Sequence, residues 1–110
     1  IEAFSGQEGT MIKQIFSPKD TSNVIRYSIA HCTINAGKTS KPHVMKTSEI
    51  YYILEGTGIF HIEKEQMEVK RNDAIFVPPN SRQFLENRGE ADLVALCIVD
   101  PAWRQEDEIS

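Results

Sequence analysis

The residues best equipped for chemistry are His43, Met45 and Glu49, which lie in a short stretch bounded by Gly37 and Gly56. All three occupy odd positions. If the stretch is extended, odd side chains share one face, so an imidazole and a carboxylate point the same way. A borderline nitrogen beside a hard oxygen is how a β-scaffold assembles a metal site. Blander readings compete. A lone histidine after Pro42 is commonly structural or exposed. A carboxylate opening the apolar run Ile50-Tyr51-Tyr52-Ile53-Leu54 is either a solvated strand end or an inward group. An inward Glu49 must be hydrogen-bonded, paired or metal-bound. Met45 is either core filling or a soft ligand suited to ions such as Cu(I).

The elements that must position these residues read as strands. Residues 24–34 are rich in β-branched and aromatic side chains, and Asn35-Ala36-Gly37-Lys38 turns the chain. Further strands are expected over 49–54, 59–63, 67–70, 74–77, 83–86 and 93–99. Glu55-Gly56-Thr57-Gly58 reads as a hairpin connection, because glycine supplies positive φ. Pro78-Pro79-Asn80 stops one strand and Asn87-Arg88-Gly89-Glu90 separates the last two. Many short strands with Gly, Pro and Asn between them indicate an all-β sandwich or barrel. No segment in 20–100 keeps a helical period. Residues 102–109 allow one helical turn, with Pro101 at its start.

Length and charge bound the function. A chain of 110 residues is one domain, with the barrel expected over about 10–100, an N-terminal arm and an acidic C-terminal tail. The net charge is −4 and no basic stripe is present, which argues against nucleic acid. No stretch approaches the roughly 20 apolar residues of a membrane span. No signal peptide is read at the start. Cys32 and Cys97 lack metal or redox spacing and read as reduced core thiols, so a cytoplasmic location is expected. No nucleophile elbow and no phosphate-binding glycine loop appears.

The spacing of Gly37, His43, Met45, Glu49 and Gly56 resembles the first motif of the cupin superfamily, in which a second histidine stands at the position of Met45. Asn72, Pro78, Asn80, Gln83 and Asn87 match the spacing of the family's second motif. There Asn72 and Asn80 replace glycines, and Gln83 replaces a histidine. Asparagine tolerates left-handed backbone better than most residues, so those turns can survive. The resemblance implies a double-stranded β-helix, or jelly roll. It also implies a metal shell of His43, Glu49 and Gln83, with Met45 beside them, for a divalent transition metal such as Zn, Fe, Ni or Mn. Two of the family's three imidazoles are missing, so affinity is expected to fall. Glu49 is the candidate catalytic base or ligand.

Tyr51, Ile53, Phe60, Phe76 and Phe84 are candidate pocket-wall residues, with core packing the competing role; Ile62 belongs to the same set. His61 is expected to face outward between Phe60 and Ile62, and His31 has no assigned face. The resemblance further implies a small-molecule ligand and a homodimer. Phe4, Ile12, Ile15, Phe16 and Ile59 are candidates for the dimer contact, or caps of the same barrel. Two functions compete: a metal-dependent enzyme (dioxygenase, isomerase or lyase) acting on a small sugar, organic acid or phenolic compound, and a non-catalytic sugar-binding or sensing module. A purely structural dimer module is the weaker third, since inward polar groups cost stability without a use.

Overall fold

The structure, a computed structural model, describes the backbone of residues 3–7 and the complete residues 9–109. The strands are β1 (Ala3–Gln7), β2 (Thr10–Phe16), β3 (Ser28–Ile34), β4 (His43–Val44), β5 (Ser48–Glu55), β6 (Thr57–Ile62), β7 (Glu65–Lys70), β8 (Ala74–Val77), β9 (Arg82–Glu86) and β10 (Leu93–Asp100). Short 3-10 turns lie at Pro18–Thr21 and Gln105–Asp107. Two antiparallel sheets result. One has six strands in the order β1-β2-β3-β10-β5-β8, and the other four in the order β4-β9-β6-β7. The expected all-β jelly roll is the architecture found. No helix among the described residues is long and apolar enough to cross a membrane.

Strict alternation explains the layering. Along β10, Leu93, Ala95, Cys97 and Val99 are buried while the residues between them are half-buried. From β5, Tyr51 and Ile53 join them, and Phe60, Val69 and Leu85 approach from the smaller sheet. Tyr51 and Phe60 meet edge to face, with ring centroids 4.9 Å apart. Such pairs contribute about 0.5–1.5 kcal/mol beyond their buried area.

The turns obey the backbone chemistry of their residues. Asn72 and Asn80 adopt φ of 75° and 66°, left-handed values that an amide side chain tolerates. Gly56 has φ of 86°, and a Cβ there would stand 2.5 Å from the Asp92 carbonyl oxygen. Asn87 is 1% exposed and holds a loop together. Its Nδ2 donates to the carbonyls of Ile34 and Ala91, both at 2.9 Å, and its Oδ1 accepts from Gly89 N at 2.9 Å.

The first strands differ from the sequence reading. Thr10–Phe16 is a strand paired with β3, and β1 pairs with β2, so this region extends the larger sheet. β3 begins at Ser28, because Val24–Tyr27 follows the 3-10 turn without pairing. The pattern of residues 10–16 alone does not say which edge it will join. At the other end, the turn found within 102–109 is 3-10 and spans three residues.

The outer face of the larger sheet carries an apolar row. Phe76 pairs with Ile50, Ile50 with Ile98, Ile98 with Ile29 and Ile29 with Phe16, crossing five strands. Phe76 is 60% exposed, Phe16 47% and Ile50 42%. Ile12 alternates to the opposite side of β2, and Ile59 lies on the smaller sheet. Phe4 belongs to the candidate contacts, but its side chain lies outside the described residues.

Candidate functional site

The site is made where the two sheets meet. His43 on β4 and Gln83 on β9 are direct cross-strand partners. Glu49 on β5 comes from the opposite sheet and reaches them. Gln83 Nε2 donates to Glu49 Oε1 at 2.7 Å, and His43 Nε2 stands 3.6 Å from the same oxygen. The three side chains of the candidate shell are therefore brought together around one carboxylate oxygen. Met45 is 2% exposed and tied by backbone pairing to Glu108, with its carbonyl accepting from Asn80 N at 2.7 Å.

Burial makes each contact consequential. Glu49 is 3% exposed and Gln83 1%. A carboxylate so placed needs donors. Glu49 Oε2 receives one from Cys97 Sγ at 3.2 Å. Burial pushes the Cys97 thiol well above its ordinary pKa, and the Glu49 charge adds to the shift. Tyr51 is the cross-strand partner of Cys97, and its phenol is likewise pushed far up by burial. Sequence reasoning missed Cys97 because β10 and β5 are far apart in the chain. Only the pairing of Cys97 with Tyr51 puts the thiol on the Glu49 side.

His43 is the most exposed of the three, with 23% of its side chain accessible. Burial lowers its pKa, but the nearby carboxylates of Glu49 and Glu108 outweigh this and leave it raised. Glu108 is a second residue that the sequence did not signal. The chain after β10 returns to β4, with Lys46 N donating to Asp107 O at 2.8 Å and Ile109 N to Val44 O at 2.7 Å.

One atom is left over. Gln83 Oε1 is buried with no hydrogen-bond partner. An orphaned buried acceptor costs about 1–3 kcal/mol. Among the described residues no three His, Cys, Asp or Glu side chains gather as a metal cluster. The donors that do converge are one imidazole, one carboxylate and one amide. An ion taking the amide by its oxygen would satisfy that orphan. The donor set thus fits a divalent cation, and it fits one held weakly, because a neutral oxygen stands where an imidazole would bind borderline ions better.

The pocket-wall candidates divide by strand parity. Tyr51, Ile53 and Phe60 are buried in the core, with Ile62 packed against it. Phe76 points outward from β8. Phe84 stacks on His61 at 4.1 Å, and His61 Nε2 lies 2.9 Å from Glu86 Oε1. His31 lies on the outer face of β3, opposite Leu96 and Lys13.

Known proteins resemble this chain over spans from about half to nearly all of its length. An uncharacterized protein of Methanocaldococcus jannaschii is 34% identical over 108 residues, covering 97% of this chain and 86% of that protein. An oxalate-binding protein of Thermotoga maritima is 37% identical over 51 residues, 46% of this chain and 42% of that protein. A solved Thermotoga maritima structure, described as a predicted oxalate decarboxylase, superposes with a TM-score of 0.76 at 26% identity, covering 89% of each chain. The cupin-domain family model matches residues 30–99, a span running from β3 through Glu49 and Gln83 to the end of β10, and the chain belongs to the cupin family.

Proposed function

We propose that this cupin binds a divalent cation weakly through His43, Glu49 and Gln83, and with it a small organic acid, without an assigned catalytic step. The carrying observation is the convergence of His43 and Gln83 on Glu49 Oε1 while Gln83 Oε1 lacks a partner. A bound divalent ion would supply Lewis acidity and free positions for ligand oxygens. The protein's own groups do the rest. Cys97 steadies the far oxygen of Glu49, and Gln83 orients the near one. His43 is the member of the trio that solvent reaches. Oxalate, named in the description of the Thermotoga relative, is the first ligand to try.

The test is a calorimetric titration of chelator-treated protein with Zn, Ni and Mn, alone and with oxalate. One weak site per chain is expected, lost in Glu49→Ala and Gln83→Ala, with oxalate heat seen only when metal is present. Unchanged metal affinity in both variants would overturn the reading. A second copy of the chain is proposed to cover the row from Phe76 to Phe16, because a contiguous apolar patch of that width is unusual on a monomer.

A further inference from the structure

A separate cleft of about 820 Å³ opens between the Ser17–Lys19 segment, the approach to β3 and the chain after β10. It does not include His43, Glu49 or Gln83. Its lining is cationic in a chain whose net charge is −4. Two of its four cations are already neutralised. Arg26 is bidentate to Asp100, at 2.7 and 3.2 Å, and Arg104 is bidentate to Asp107, at 3.0 Å for both contacts. Lys19 and Lys46 remain: neither forms an ion pair among the described residues, and Lys46 lies near enough to Asp107 for its charge to act on that carboxylate.

Two further features point to a ligand. Thr47 lines the cleft at 5% exposure, and its Oγ1 has no hydrogen-bond partner. A buried hydroxyl in that state lacks an acceptor, and an anion's oxygen would supply one. Beside it stand Ile25 and Trp103, the latter 42% exposed. Its backbone is pinned, since Trp103 N donates to Ser28 Oγ at 3.0 Å. An aromatic side chain held on a fixed backbone beside unpaired lysines suits a flat apolar body carrying a negative charge.

We propose that this cleft binds a small aromatic anion, a carboxylate or phosphate ester, with its charge met by Lys46, Lys19 and the Thr47 hydroxyl and its ring against Trp103. The site is separate from the His43, Glu49 and Gln83 trio, and its occupancy requires no metal.

Trp103 is the single tryptophan of the chain, so its emission reports on this cleft. The full chain would be titrated with benzoate, phenyl phosphate, benzyl alcohol and inorganic phosphate, with chelator present. Saturable emission changes are expected with benzoate and phenyl phosphate, and binding about tenfold weaker with the neutral alcohol and with inorganic phosphate. Lys46→Gln, at an exposed position, should weaken the aromatic anions about tenfold, and Lys46→Arg should retain most of the affinity. Thr47→Val should weaken them with little change in shape. A flat titration, an equal response to benzyl alcohol, phosphate binding as tight as phenyl phosphate, or native affinity in Lys46→Gln would each overturn the proposal.

Discussion

Gln83 and Glu49 join the two sheets through a single buried hydrogen bond, Nε2 to Oε1 at 2.7 Å. Neither residue would be stable there alone. The amide satisfies a carboxylate that solvent barely reaches, and the carboxylate fixes which end of the amide faces it. The reverse amide orientation would set two oxygens 2.7 Å apart, so a cation between them is what would favour turning it over.

Removing the acceptor should therefore be costly. Glu49→Ala leaves the Gln83 amide and the Cys97 thiol buried without their partner, and a loss of about 2–4 kcal/mol is expected. Glu49→Gln keeps the shape and one acceptor oxygen and should lose less than half of that. Urea unfolding of the three proteins measures both, and equal stability of Glu49→Ala and native would show that the contact contributes nothing.

Restoring imidazole should tighten metal binding. Gln83→His places a nitrogen donor at a position already in contact with Glu49 and opposite His43. A gain of at least about tenfold in Zn or Ni affinity is expected, equivalent to about 1.4 kcal/mol. Met45→His should add less, since Met45 is 2% exposed and held by backbone pairing to Glu108 rather than by a hydrogen bond in the Glu49 cluster. Titration calorimetry on the single and double variants orders the effects, and no gain from Gln83→His would remove this position from the shell.

The raised pKa of His43 ties stability to pH. Burial opposes the imidazolium, but Glu49 and Glu108 favour it more, so the folded state holds the proton more tightly than the unfolded chain. The stabilisation is full below the unfolded value of about 6.5 and is lost as pH rises through the folded value. The difference in unfolding free energy between native and His43→Gln should shrink across that window. An NMR titration of the ring must then give a value above about 6.5.

Both thiols should be inert in the folded protein. Burial pushes the Cys32 thiol up to about 11, and burial with the Glu49 charge pushes Cys97 well above its ordinary value. At pH 8 the thiolate that reacts is a minute fraction. Iodoacetamide should label neither cysteine in the native state and both in denaturant. Rapid native labelling of Cys97 would mean that the core opens around Glu49.

Association should depend on the outer row of the larger sheet. Light scattering is expected to report a dimer at micromolar concentration. Ile50→Lys or Phe76→Lys should give monomers that keep the fold, because both side chains already face outward. A native monomer would leave that row without the proposed partner.

Much of this molecule follows from residue order alone. Strand parity along β5 put Glu49 on an inward-facing position, and local turn chemistry placed left-handed backbone at Asn72, Asn80 and Gly56. These are short-range effects, set by steric limits within a few residues. The single extended stretch expected through His43 and Glu49 is instead broken into β4 and β5, which belong to opposite sheets. The likeness to known cupin spacing brought in Gln83. Partners distant in sequence were another matter. Cys97 reaches Glu49 only because β10 pairs with β5, and Glu108 influences His43 only because the tail returns to β4. The same holds for the row from Phe76 to Phe16 and for the cleft at Trp103, which gathers segments from both ends of the chain. Which strands become neighbours is decided by burial of apolar surface over the whole chain, and no window of sequence contains that information.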